Sequence, residues 1–238
     1  MSDLVVLVPT RMRPQSVVPL AQAFADTCTR DTWLVLCVDA CPYRGDYITA
    51  LGNALLHSYR RILLQWHETR QHLVGTLNHY SENLAYAVDP PFAVGFMGDD
   101  HRPATKGWDA RYIDTLQELG TGIVYGDDQI QGQGLPTQVA MTTDIIRALG
   151  YMAPPGLKHL YCDNFWLDLG TGANCIRYLP DVVIRHDHPS AGRSAWDDSY
   201  RESNSADSYA ADGEAYRLYK EHALADSIDT VKHLRSRT

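Results

Sequence analysis

No stretch of the sequence approaches the roughly 18 consecutive apolar residues that a membrane-spanning helix requires, and the N-terminus has no charged, apolar and small-residue succession of the secretory kind. A soluble, cytoplasmic protein with no membrane partner is the expectation. Basic charge is in deficit, with 21 Lys and Arg against 29 Asp and Glu and a formal net charge of -8. That balance argues against a surface that tracks nucleic-acid phosphates, and makes duplex DNA the least favoured partner. A nucleotide that brings its own cation is easier to reconcile with it. Cys28, Cys37, Cys41, Cys162 and Cys175 are odd in number and lack the CxxC spacing of a structural zinc site, so they read as reduced core or pocket residues. Glycine is missing from Pro9-Thr10-Arg11-Met12-Arg13-Pro14, where an enzyme that cradles a triphosphate would want it. Internal repeats and low-complexity linkers are also missing, so residues 1–238 are expected to form one domain.

The apolar runs that are present are short and continuous. Leu4 to Val8, Trp33 to Val38, Arg61 to Trp66 and Phe92 to Met97 each suit a parallel strand buried on both faces. Helical spacing separates them: a helix capped by Ser16 with Pro19 in its first turn, then Tyr47 to Tyr59, Gly75 to Ala87 and Thr105 to Leu119. Four strand–helix steps in succession predict a mostly parallel, doubly wound α/β sheet. After residue 120 the rhythm loosens. Short strands are expected at Gly122 to Tyr125, Val139 to Met141 and Val182 to Arg185, and helices at Thr143 to Leu149 and from about Asp163. Gly126 to Thr137 reads as a mobile loop, and Asp212 to Leu234 as helix.

In an open parallel sheet, ligands bind beyond the carboxyl ends of the strands, which selects Thr10, Arg11, Asp39 and Gly98-Asp99-Asp100-His101. Arg11 and Arg13 are suited to phosphate, and Asp39 to the N3–H of uracil; as an alternative these residues serve as caps and solvated turns. Two adjacent carboxylates at a strand end repel unless solvated or neutralised, and a hard cation is a natural solution for Asp99 and Asp100. The other reading of Asp100 is a helix N-cap. Period-two alternation puts His186 and His188 on one face of the last strand, as candidates for a late metal ligand. Asp163 is either the N-cap of its helix or a general base whose aromatic neighbours raise its pKa.

Taken together, these residues resemble the GT-A glycosyltransferases of the family-2 type, particularly small bacteriophage-encoded members, over most of the chain. Val8-Pro9-Thr10-Arg11-Met12-Arg13-Pro14 resembles the opening nucleotide-binding strand and turn, and Asp39 the uracil-contacting acid. Gly75-Thr76-Leu77-Asn78 resembles the segment closing over the nucleotide, and Phe96-Met97-Gly98-Asp99-Asp100 the DXD region with Gly98 in place of the first acid. The resemblance implies a GT-A-like fold with a nucleotide-sugar-binding half (1–120), an acceptor and catalytic half (121–205) and a C-terminal helical segment (206–238). It implies a donor site at Pro9, Thr10, Arg11, Arg13, Asp39, Thr76, Asn78, Asp99 and Arg193. A Mn²⁺ or Mg²⁺ site would use Asp100, Asp99, His186 and His188, with Asp163 as catalytic base and the stretch from His186 to Tyr200 ending in a donor-covering loop. The activity implied is inverting transfer of a sugar from a nucleoside diphosphate sugar, UDP favoured, to a glycan, protein or modified DNA base. A sugar-1-phosphate nucleotidyltransferase and a non-catalytic nucleotide- or sugar-binding module are the alternatives.

Overall fold

The computed structural model describes residues 2–236. Its first half alternates strand and helix: β1 (Leu4–Thr10), α1 (Val17–Thr27), β2 (Thr32–Val38), α2 (Arg44–His57), β3 (Ile62–Trp66), α3 (His72–Ala85) and β4 (Ala93–Phe96). A three-residue strand, β5 (His101–Pro103), precedes α4 (Trp108–Leu119), β6 (Ile123–Asp127), β7 (Val139–Thr142) and α5 (Thr143–Leu149). The remainder is α6 (Cys162–Gly172), β8 (Ile176–His186), α7 (Asp198–Ser203), α8 (Ala206–His222) and α9 (Leu224–Arg235). One sheet runs in the order β3-β2-β1-β4-β7-β6-β8-β5. β3, β2, β1 and β4 are mutually parallel, β7 is antiparallel to β4 and β6, β6 is parallel to β8, and β5 is antiparallel to β8.

The apolar run of β1 is continuous because both faces are covered. Val5 and Leu7 pack with Val74 and Leu77 of α3, while Leu4, Val6 and Val8 pack with Leu20 and Phe24 of α1 and Trp108 of α4. The alternation of side chains along a strand thus feeds two cores, one on each side of the sheet.

The structure departs from the sequence expectations mainly in the second half. β8 begins at Ile176, ahead of the expected Val182, and Pro180 lies where its pairing with β6 jumps from Leu179 opposite Gly126 to Val183 opposite Asp127. A residue without an N–H is tolerated at such an irregularity. The loop expected from Gly126 to Thr137 starts after β6 ends at Asp127 and is tied to itself: buried Asp128 accepts from the N–H groups of Ile130, Gln131 and Gly132 and from the hydroxyl of Thr137. The segment expected as one helix over 212–234 is two, broken at Ala223. Ser16 flanks α1 as expected, but its hydroxyl donates back to the Arg13 carbonyl and does not cap.

Candidate active site

β5 and β8 pair so that His101 lies opposite His186, and their rings stack at 4.1 Å between centroids. Asp100, one residue before β5, brings its carboxylate between them, 3.2 Å from His186 Nε2 and 3.4 Å from His101 Nδ1. One donor atom from each of Asp100, His101 and His186 lies within 4.8 Å of the others. Gly98 makes this approach possible. A β-carbon there would meet Asp100 Oδ1 at 2.5 Å and His101 Nδ1 at 2.9 Å, and the Gly98 N–H donates to His101 Nδ1 at 3.0 Å. The glycine standing where the DXD pattern has its first acid is therefore matched to the histidine that follows the second.

The two adjacent carboxylates are neutralised separately. Asp99 turns away from the histidines, accepting from Arg13 at 2.9 Å and from the Thr10 hydroxyl at 2.6 Å; burial raises its pKa against the pull of Arg13. Asp100 faces His186. Burial would lower the His186 pKa, but Asp100 and Asp128 outweigh it and push it up to about 9. His186 Nδ1 is buried without a hydrogen-bond partner, 3.7 Å from Asp128 Oδ2.

The rest of the cleft is lined by arginines. Arg13 is fixed on one side by Asp99, and its backbone N–H donates to the Tyr47 hydroxyl at 3.0 Å, which in turn contacts Thr10. Arg11 donates to the Ala40 carbonyl, and Arg70 pairs with Asp39 at 2.9 Å. Arg193 donates to the carbonyls of His186 and Gln129 at the rim of the histidine cluster. Pro9 is part of β1, opposite Cys37. The segment after β8 closes this wall. Asp197 takes two hydrogen bonds from Arg13, Tyr200 lies under the Arg13 guanidinium at 3.7 Å and donates to Asp100 at 2.7 Å, and Glu202 pairs with Arg11 and Arg70.

Several expected site residues have other partners. Asp39 is buried and accepts from the N–H groups of Ala40, Gln71 and His72 as well as Arg70, so both its oxygens are in use within the protein. Thr76 is fully buried in α3, and its hydroxyl has no hydrogen-bond partner. Asn78 spends its amide on the 152–153 backbone, accepting from Met152 and Ala153 and donating to the Ala153 carbonyl. His188 does share a face with His186, with ring centroids 5.2 Å apart, but it lies outside the three-residue cluster. Its Nδ1 accepts from the Ser190 N–H at the start of the turn Pro189–Ala191.

Neither capping role survives. Asp100 leads into a strand, and Asp163 lies inside the first turn of α6, whose N-cap position is held by Tyr161 with φ of 66° and no side-chain cap bond. Burial raises the Asp163 pKa; hydrogen bonding by the Asn164 N–H and the positive charge on His186 oppose it. His101 was selected with Asp99 and Asp100 at the strand end but not as a metal ligand, and the structure adds it to the cluster. Asp197 and Tyr200 entered the expectations only as part of the stretch from His186 to Tyr200, and Arg70 and Glu202 carried no signal.

No family model matches the sequence, and no curated protein matches it. Solved structures do match in shape. Staphylococcus aureus TarS aligns with 77% of this chain and 36% of its own, at 16% identity and a TM-score of 0.56, so the chain spans about a third of that protein. The 1–349 fragment of TarS aligns over 99% of this chain and 90% of its own, at 13% identity and TM-score 0.58. The mannosyltransferase PcManGT of Pyrobaculum calidifontis, in complex with GDP-Man and Mn²⁺, aligns over 98% of this chain and 74% of its own, at 12% identity and TM-score 0.60. The chain has the mixed α/β architecture of GT-A-type glycosyltransferases, and its acid–histidine cluster and arginine wall lie at the strand ends of that fold.

Proposed function

We propose that the protein is a metal-dependent glycosyltransferase that moves a sugar from a nucleoside diphosphate sugar to an acceptor hydroxyl with inversion. The observation carrying this reading is the meeting of Asp100, His101 and His186 with Arg11, Arg13 and Arg70 at one end of the sheet. A carboxylate and two imidazoles suit a transition-metal divalent cation better than Mg²⁺, which prefers oxygen alone; Mn²⁺ is the ion proposed, on the precedent of the Mn²⁺ complex of PcManGT. The orphaned His186 Nδ1 beside Asp128 fits as well, since a ligating histidine usually directs its other nitrogen at a carboxylate. A bound cation would offset the charge of the departing diphosphate.

The chain's own residues supply the rest. Arg11 and Arg13 hold the diphosphate oxygens, Arg193 approaches from the rim, and Asp99 and Thr10 keep Arg13 oriented. Asp163 takes the proton of the acceptor hydroxyl as the hydroxyl oxygen bonds to the anomeric carbon and the carbon–phosphate oxygen bond breaks. The acceptor is a glycan, a protein or a modified DNA base. UDP is the proposed nucleotide. Because the Asp39 oxygens are spent on the Arg70–His72 turn, Asp39 would act by shaping the backbone around the base. Calorimetric titration of UDP, GDP and CMP with Mn²⁺ tests this: UDP should bind most tightly. Tighter GDP or CMP binding removes the uridine assignment, and no binding of any of them overturns the function.

A further inference from the structure

The arginine wall has two kinds of partner. One kind belongs to the sheet and its following turns: Asp99 for Arg13, Asp39 for Arg70 and the Ala40 carbonyl for Arg11. These follow β4 and β2 directly, and Asp99 and Asp39 are buried. The other kind comes from α7 and its N-cap. Asp197 engages Arg13 through two parallel hydrogen bonds of 2.7 and 2.8 Å, and Glu202 gives one oxygen to Arg11 at 3.3 Å and the other to Arg70 at 2.9 Å. Two carboxylates bridged to three guanidiniums present the charge and the fork geometry with which arginine binds phosphate. Tyr200, between them, puts its hydroxyl on Asp100.

The fixed and the replaceable partners differ in how they are supported. α7 is six residues long, too short to be stable by itself, and among its residues only Tyr200 is buried. The stretch from Ser190 to Trp196 that leads to it is exposed. Its docking rests on the ion pairs, the Tyr200 contacts and a weak bond from Ser199 to the Arg11 carbonyl.

We propose that Arg11, Arg13 and Arg70 form a diphosphate cradle in which the carboxylates of Asp197 and Glu202 stand in for the two phosphates, so that α7 must leave before a donor diphosphate can bind. Departure of α7 also releases the Asp100 carboxylate from Tyr200. Arg70 thereby joins the donor site, and Asp197 and Glu202 become internal competitors of the substrate. The inference rests on the glycosyltransferase reading for the identity of the donor, while the competition itself is a property of the cradle.

The test uses inorganic pyrophosphate without divalent cation, titrated against the parent and an Asp197→Asn/Glu202→Gln variant. Asn caps a helix about as well as Asp, so α7 keeps its N-cap while losing the charge that competes. If the cradle is open about a tenth of the time in the parent, the variant binds pyrophosphate about tenfold more tightly, and Arg70→Ala binds it more weakly than the parent. Equal or weaker binding by the double variant overturns the proposal. Hydrogen exchange on the unmodified protein gives a second readout: amides 198–203 should exchange faster on saturation with pyrophosphate, and unchanged or slower exchange overturns it. Metal-dependent hydrolysis of a nucleotide sugar by the parent, with unchanged pyrophosphate affinity in the double variant, removes the competition alone. Tighter pyrophosphate binding without any such hydrolysis keeps the cradle and removes the glycosyltransferase reading.

Discussion

Replacing Asp100 by Asn probes the cluster through the charge on His186. The amide keeps an oxygen for the Tyr200 hydroxyl but withdraws the negative charge 3.2 Å from His186 Nε2. His186 is pushed from 6.5 to about 9, which corresponds to something on the order of 3 kcal/mol at about 1.36 kcal/mol for each tenfold change in proton affinity. That net rise already includes the opposing burial, so Asp100 and Asp128 together contribute more than it, and Asp100→Asn, which removes one of them, is expected to cost on the order of 2 kcal/mol. The sign follows from linkage. A histidine raised in the folded state contributes stability that is complete below its unfolded pKa of 6.5 and is lost as pH rises through about 9. Asp100 itself, despite its burial, is held well below the usual carboxylate range by the two histidines, so it remains ionised at pH 6. Urea denaturation in EDTA at about pH 6 and about pH 9.5 should show the variant destabilised at the lower pH and close to the parent at the higher one. The same loss at both, or none at about pH 6, would refute the ion pair.

Asp163→Asn should keep the parental melting temperature, because the residue does not cap α6, yet lose about 10² to 10⁴ in transfer rate, because an amide accepts no proton at neutral pH. Transfer at a near-parental rate would take Asp163 out of the mechanism. Thr76→Val replaces a buried hydroxyl that lacks a hydrogen-bond partner by an isosteric methyl, so stability should hold or rise and donor affinity should stay put. A fall in donor affinity would return Thr76 to the nucleotide site. His101→Ala should weaken Mn²⁺ binding, measured by calorimetry, more than His188→Ala does, since only His101 belongs to the cluster with Asp100 and His186; the reverse order would favour the sequence-based ligand set.

The parallel half of the sheet was legible because β1, β2 and β4 are buried on both faces and so read as unbroken apolar runs. β5 was not, being the three residues His-Arg-Pro, which have no apolar pattern and exist as a strand only because β8 lies beside them. Pro180 likewise hid the first half of β8 by interrupting its run at the register shift. Asp100 and His186 were legible from their positions at strand ends. The part His101 plays in the cluster was hidden by the same missed strand, since its pairing with His186 is what brings the two rings together. The placing of Thr76 went against its own helix: Val74, Leu77, Ser81 and Ala85 define the buried side of α3, and Thr76 joins them. Asp39 was read as ligand-facing from its place at the end of β2, and Asn78, in the middle of α3, from the resemblance of Gly75 to Asn78 to a nucleotide-covering segment; neither carries a local mark that distinguishes a substrate contact from a backbone staple. The carboxylates of α7 meet their arginines across more than 130 residues of chain, a placement that no short-range pattern encodes.

Incubating the purified protein with UDP-sugars and GDP-sugars, in Mn²⁺ and in EDTA, and following release of the nucleoside diphosphate tests the central claim most directly. The account predicts release in Mn²⁺ from at least one of the sugar nucleotides, UDP-linked by preference, abolished by EDTA and by Asp100→Ala. Failure to release nucleotide from any of them, or release that is equal in EDTA, would contradict it.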